Sequence, residues 1–170
     1  DGFQPSQYYA RLCQDPRTVE LPESYAPFSI RKIERSEGEK FFRVYLDGFG
    51  ADPAQHDRAI ANMRQLFDLS GLYFFMAEID RRPAGVGMLY VRDGTGYLCA
   101  GATLPEFRNR GCQSALLLCR QKLARELDLD LLASWSHFGG ASNRNMLRAG
   151  MHLSHTDLSW VKHFSDSQKL

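Results

Sequence analysis

The chain has 170 residues, and its 21 Lys and Arg against 20 Asp and Glu leave a formal net charge of +1. That length suits one domain with a real core, and 44% hydrophobic with 24% charged residues is a soluble globular composition. The charge balance excludes a global pull toward nucleic acid or a membrane surface, so any anion site has to be local.

In chain order, residues 1–27 are punctuated by Pro5, Pro16, Pro22 and Pro27. They read as an N-terminal extension with one short helix near residues 6–14. The domain proper is expected over 28–165, with 166–170 as a C-terminal tail. FSIRKIE (28–34) alternates apolar and polar residues and suits a first strand. Ser36 and Glu39 have the spacing of a capping box before a helix closed by Gly48 and Gly50. Asp52-Pro53 signals a second helix start, running to about Leu69 with Ile60, Met63, Leu66 and Phe67 on one face.

Three strands follow: 73–79, 84–92 after a turn at DRRP, and 95–104, with Asp93-Gly94 as a hairpin signal before the last. A long helix comes next, on which Cys112, Leu116, Cys119, Leu123 and Leu127 make an apolar stripe. LDLLASWSH (129–137) reads as a buried strand, and strand–helix–strand order there implies a right-handed parallel crossover. A short helix over 142–149 ends at Gly150, and MHLSHTDLSWVKHF (151–164) closes the chain as one strand or a hairpin.

No two of the four cysteines (13, 99, 112, 119) form a CxxC pair, and no His stands at zinc-finger spacing from them. They read as reduced thiols of a cytosolic protein. His152 and His155 are three apart, and on a strand an odd spacing sends them to opposite faces. No metal is therefore expected. Trp135 and Trp160 read as core residues. No segment is apolar enough to span a bilayer, and the start lacks the plan of a signal peptide. The expectation is a cytoplasmic chain, either trimmed or part of a longer protein because it lacks an initiator Met.

The stretch LPEFRNRGCQSALLLCRQKLARELD (104–128) carries the chemistry. A strand, a short loop, Gly111 and a helix make an anion site. The first helical N–H groups lack internal partners, and the helix dipole adds positive charge there. Gly111 permits close backbone approach, Arg108 and Arg110 add full charges, and Gln113 and Ser114 are polar at the first turn. Together they describe a diphosphate cradle. The absence of GxxxxGK[ST] excludes a P-loop, and the absence of GxGxxG argues against a dinucleotide fold.

Arg108-Asn109-Arg110-Gly111-Cys112-Gln113 resembles [RQ]-x-x-G-x-[GA], the signature of the GCN5-related N-acetyltransferases (GNAT), with Gln113 where Gly or Ala is usual. The element order over 28–164 is similar to that family too. The resemblance implies an α+β fold in which a central mixed, mostly antiparallel sheet is flanked by helices, with a bulged strand before the cofactor helix. It also implies acetyl-coenzyme A as cosubstrate. The signature residues Arg108, Asn109, Arg110, Gly111, Cys112, Gln113 and Ser114 would bind its pyrophosphate, and Ala102, Thr103 and Leu104 would pair with the pantetheine arm. Gly101 fits a bulge on its own physics. Asn145 resembles a helix Asn that contacts the cofactor arm in some members.

The implied reaction is acetyl or acyl transfer to a primary amine by direct attack in a ternary complex. The family often uses as its acid a Tyr four residues before the Gly that ends the last helix. Here that Gly is Gly150 and the position holds Met146. Glu78, Ser142 and Asn145 are the catalytic candidates, with Ser136 and His137 nearby in sequence. Asp47, Asp52 and Asp57 border the first two helices and read mostly as caps and solvated charges. The expected partners are acetyl-coenzyme A and an unidentified amine, with no nucleic acid, membrane or metal. A homodimer through the terminal strand is left open. The rival reading is a weakly active or inactive coenzyme A-binding module, a sensor or one half of a tandem protein.

Overall fold

The computed structural model describes residues 2–163. Phe164 and the expected tail at 166–170 lie outside the described residues. Among the described residues, seven strands form one sheet: β1 (Gln4–Gln14), β2 (Ser29–Lys32), β3 (Leu72–Ile79), β4 (Arg82–Arg92), β5 (Thr95–Thr103), β6 (Leu131–His137) and β7 (His152–Val161). Their spatial order is β2-β3-β4-β5-β6-β1-β7. Only β5 and β6 run parallel; every other neighbouring pair is antiparallel. The described residues also form four α-helices: α1 (Gly38–Phe49), α2 (His56–Met63), α3 (Cys112–Glu126) and α4 (Ala141–Arg148). Among the described residues, no helix is long and apolar enough to cross a membrane.

The sheet divides the core in two. Phe41 and Phe42 of α1 and Ile60 of α2 pack on Phe74, Met76, Val86 and Met88. On the opposite face, Leu116 and Leu117 of α3 and Met146 of α4 pack with Phe75, Ala77, Leu89, Leu98 and Leu132. Strand β3 is covered on both faces, which is why YFFMA reads as an unbroken apolar run rather than an alternation. Both expected hairpins form. Asp80 and Arg81 (φ 51 and 62), and Asp93 and Gly94 (φ 48 and 74), have positive φ at both turn positions, as two-residue turns that follow the strand twist require.

Six expectations need correction. The segment read as an extension with a short helix supplies β1, which lies inside the sheet between β6 and β7. Ala10, Leu12 and Gln14 alternate inward with period two, and that burial overrides the helical reading. The Ser36–Glu39 capping box does not form. Helix α1 starts after a 3-10 turn, its N-cap is Glu37 with no side-chain cap bond, and Glu39 pairs instead with Arg43 and Arg64. The second helix breaks into α2 flanked by 3-10 turns, with Asp52 accepting from the Ala54 N–H at 3.0 Å as expected of a cap.

Trp135 and Trp160 are 46% and 56% exposed rather than core. Leu132, Ser134 and Ser136 take the inward positions of β6, so Trp135 faces outward, edge-on to Tyr9 at 5.2 Å. The α3 stripe is also rotated. Cys112, Leu116, Leu117, Arg120, Gln121 and Ala124 are buried, whereas Cys119 and Leu123 are only partly so and Leu127 is exposed.

The face argument for the two histidines fails as well, because β7 bulges opposite Arg11 and Leu12. His155 pairs with Arg11 and His152 with Cys13, which puts both on one face. Each has its own neighbour there. His152 Nε2 lies 3.2 Å from Cys13 Sγ, and His155 Nε2 lies 3.6 Å from Asp157 Oδ1. Among the described residues, no group of three or more His, Cys, Asp and Glu could hold a metal ion.

Candidate active site

Strands β5 and β6 stay together only from Thr95–Tyr97 against Leu131–Ala133. Just beyond that, the Ser134 hydroxyl donates to Leu98 O at 2.8 Å, and the β5 edge from Cys99 onward is unpaired on that side. The other side of β5 carries a bulge. Val86 pairs with Ala102 and Met88 with Cys99, so Ala100 and Gly101 together oppose Gly87. Ala100 holds φ 49 there, in the left-handed region that an alanine seldom occupies. The expectation drawn from Gly101 is met, and the strand leaves its parallel neighbour at this point.

The parting opens a cleft of about 630 Å³. One wall is the end of α1 (Gly48, Phe49), and the floor includes Gly101, Ala102 and Thr103. The head of α3 and the α4 residues Ser142, Arg144, Asn145 and Arg148 close the other side. Gly111 is the N-cap of α3, with φ 88 and no side-chain cap bond. A Cβ built on it would meet nothing within 4 Å, so its backbone borders open space. The first intrahelical bond there is Ala115 N–H to Gly111 O at 3.0 Å. The N–H groups of Cys112, Gln113 and Ser114 therefore have no earlier helical carbonyl to bind.

The structure assembles most of the residues expected to hold the cofactor, with distinct roles. Ala102, Thr103, Arg108, Asn109, Gly111, Cys112, Gln113, Ser114 and Asn145 all line the cleft. Leu104 does not: it packs between the two cores, and its N–H donates to Ala84 O. Arg110 is also outside the lining, with its guanidinium 5.6 Å from the Phe107 ring centroid. Arg108 lines the cleft but uses its guanidinium as a bracket, donating to Gly48 O at 2.8 Å and Thr103 O at 3.4 Å. It thereby holds the end of α1 against β5.

Gln113 is the departure from the family signature, and its side chain turns toward α4. Its Nε2 donates to Ser142 Oγ at 2.9 Å, its Oε1 accepts from Asn145 Nδ2 at 2.5 Å, and Asn145 Oδ1 accepts from Arg148 Nη2 at 2.6 Å. The longer side chain thus ties α3 to α4. Cys112 is buried beneath the cradle, and desolvation raises its thiol to about 11, so it is a packing group rather than a nucleophile.

Glu78 is not brought to the cleft. Its carboxylate accepts from Arg31 at 3.1 and 3.2 Å and from Lys40 at 3.5 Å, and the Arg31 guanidinium holds it below the usual carboxylate range. Met146, at the family's Tyr position, is 7% exposed and belongs to the core. Among the described residues Ser136 Oγ is buried without a hydrogen-bond partner, and His137 is exposed beside Tyr9. Asp47, Asp52 and Asp57 are exposed, and Asp57 pairs with Arg43 at 2.9 Å.

The residue that sequence reasoning missed is Arg120, on α3 beneath the bulge and 2% exposed. The signal for it was Gly85 and Gly87, which leave the α3 face of β4 bare. A Cβ on Gly85 would lie 2.7 Å from Cys112 Sγ, and one on Gly87 would lie 2.8 Å from Arg120 Cζ.

A mixed sheet parting beside a bulge, with a helix opening on a left-handed glycine at the gap, is the fold of the GNAT acetyltransferases. The chain belongs to the Acetyltransferase (GNAT) family, whose profile matches residues 30–150. No curated protein is significantly similar to it in sequence. Among solved structures it is similar to a GCN5-related N-acetyltransferase from Sphaerobacter thermophilus, with TM-score 0.69 and 18% identity over 92% of this chain and 51% of that one. A tandem GNAT protein from the clavulanic acid biosynthesis pathway matches with TM-score 0.71 and 15% identity over 94% of this chain and 55% of that one. AAC(6')-Iy in complex with the bisubstrate analog CoA-S-monomethyl-acetylneamine matches with TM-score 0.62 and 17% identity, over 82% of this chain and 100% of that one. The chain spans 63%, 59% and 51% of three of the similar solved chains.

Proposed function

We propose that the chain is an acetyl-coenzyme A-dependent N-acetyltransferase that passes the acetyl group to a primary amine by direct attack, with both substrates bound. The head of α3 carries this reading: Gly111 is uncapped, left-handed and open to a cleft that continues along the unpaired edge of β5. The N–H groups at the start of α3 would hold the diphosphate, helped by the helix dipole. Ala102 and Thr103 would hold the pantetheine arm as an added strand, since that edge of β5 has no other partner. Asn145 would orient the arm from the opposite wall. The bound thioester supplies an activated acyl group.

The protein's own contribution is then chiefly position, worth about 7 to 11 kcal/mol in the best cases. The Arg108 bracket and the Gln113–Ser142–Asn145 network brace the two walls at a fixed separation. Among the described residues, no carboxylate, His or Tyr lines the cleft. The ammonium proton of the acceptor would pass to water, with the rate rising with pH until the amine is neutral. Ser142, a hydroxyl lining the cleft, would hand a proton to the departing thiolate.

A second reading, coenzyme A binding without turnover, is favoured by one observation: Met146 is a core residue where family members often carry an acid. Thermal unfolding with and without acetyl-coenzyme A, followed by thiol release with amino acids, polyamines, peptides and neamine, separates the two. A thermal shift with thiol release supports the first. A shift without release supports the second, and a folded chain with no shift refutes both.

A further inference from the structure

The guanidinium of Arg120 lies between α3 and the bulge. Its Nε donates to Leu116 O at 2.8 Å, and its Nη1 to Met88 O at 3.0 Å and Cys99 O at 3.1 Å. Met88 and Cys99 are the residues that bound the bulge, where β4 and β5 fall out of step. Every acceptor is a backbone carbonyl, and among the described residues no carboxylate pairs with the charge. An arginine this buried almost always has a carboxylate partner, because an unpaired buried charge is expensive. Desolvation lowers its pKa to about 10, which leaves it cationic at neutral pH. Its titratable neighbours are the Cys99 and Cys119 thiols, which burial pushes upward.

Nη2 makes no hydrogen bond to any described residue. It faces Gly101, where a Cβ would stand 3.7 Å from it, and Gly101 lines the cleft. The room for this arrangement is made by Gly87, since any side chain there would strike the guanidinium.

We propose that Arg120 is a positioning residue for acyl transfer: it staples the bulge through the Met88 and Cys99 carbonyls and sets an uncancelled positive charge behind Gly101, where it favours the thiolate form of coenzyme A. This rests on the cofactor reading of the cleft. A cation in a low-dielectric setting acts on a forming anion far more strongly than one in water. The group it acts on is the sulfur that becomes a thiolate when the acyl group leaves.

The experiment is a titration of binding between pH 7 and pH 9, using coenzyme A and desulfo-coenzyme A, for the native chain, Arg120→Lys and Arg120→Met. A free thiol has a pKa of about 8.5, and lowering it by one unit in the complex raises affinity about sixfold over that range. The sign follows from proton release: the bound form holds fewer protons, so binding tightens as pH rises. The native chain should show this gain for coenzyme A and none for desulfo-coenzyme A. Arg120→Met should still bind both ligands but lose the gain, and Arg120→Lys should recover part of it. A native chain that binds both ligands with equal pH dependence overturns the proposal, and so does an Arg120→Met variant that keeps the full gain. A folded native chain that binds neither ligand refutes the cofactor reading itself, which is a different outcome. Where Arg120→Met does not fold, the neutral but hydrogen-bonding Arg120→Gln takes its place: loss of the gain upholds the proposal, and a full gain overturns it.

Discussion

Gly111 tests the cradle because its two roles separate cleanly. Its φ of 88 is the conformational role, and the open space around its missing Cβ is the access role. Replacing it with alanine forces an L side chain into the left-handed region at about 1 to 2 kcal/mol. For a domain of this size, that lowers the melting temperature by roughly 2 to 8 °C. Gly111→Glu bears a similar conformational cost, because no neighbour stands where the side chain leaves the backbone. It differs by setting a carboxylate at the mouth of the proposed diphosphate site. Acetyl-coenzyme A at about 100 times its dissociation constant stabilises the native fold by about 2.7 kcal/mol, or roughly 5 to 10 °C. Differential scanning fluorimetry of the three chains with and without ligand is the assay. The native chain should shift fully, Gly111→Ala should shift less, and Gly111→Glu should not shift. If Gly111→Glu folds and shifts as far as the native chain, the head of α3 is not the diphosphate site.

Three further outcomes follow from the same geometry. Gly87→Ala should cost about 1 to 3 kcal/mol by overpacking against the Arg120 guanidinium, and chemical denaturation of Gly87→Ala, Arg120→Ala and the double variant should show a combined loss smaller than the sum. Additive losses would place the two residues out of contact. Glu78 is held ionised chiefly by its hydrogen bonds from Arg31, so the stability it adds is full above the ordinary carboxylate value of about 4.3 and is lost as pH falls through its lower folded value. Urea midpoints from pH 2 to 6 should therefore fall less steeply for Glu78→Gln, while thiol release at neutral pH stays within about threefold of native. An activity loss of a hundredfold would make Glu78 the base after all. Cys112, with its thiol near 11, should be alkylated by iodoacetamide far more slowly than the partly exposed Cys13 at pH 8, since about one Cys112 in a thousand is then ionised. Peptide mapping that finds Cys112 labelled first would contradict its burial.

The β2-to-α4 order was legible because each signal there is local. Asp93-Gly94 marks a turn whatever surrounds it, and Gly101 marks a bulge on chain geometry alone. The uncapped head of α3 was legible for the same reason, as a left-handed glycine followed by a helix is a short-range arrangement. What failed depended on partners distant in sequence. Strand β1 carries Pro5 where its register with β7 slips, a position that needs no ladder N–H, so the proline that argued against a strand sits where a strand tolerates one. The face of β6 was misread because Ser134 and Ser136 take the inward positions beside the parted strands and push Trp135 out. Gln113 stood out only as a departure from Gly or Ala, because its partners Ser142 and Asn145 come from α4, distant in sequence.

Arg120 is the sharpest case. Read from its helix alone, it is a charge that lies off the expected stripe of Cys112, Leu116, Cys119, Leu123 and Leu127. Read from the sheet, Gly85 and Gly87 clear one face of β4, and the bulge leaves the Met88 and Cys99 carbonyls to be satisfied. Leucine or methionine at position 120 would fill the same gap but leave two buried carbonyls without donors, each a loss of about 1 to 3 kcal/mol. The buried cation follows from the bulge, and the bulge is what opens the cleft.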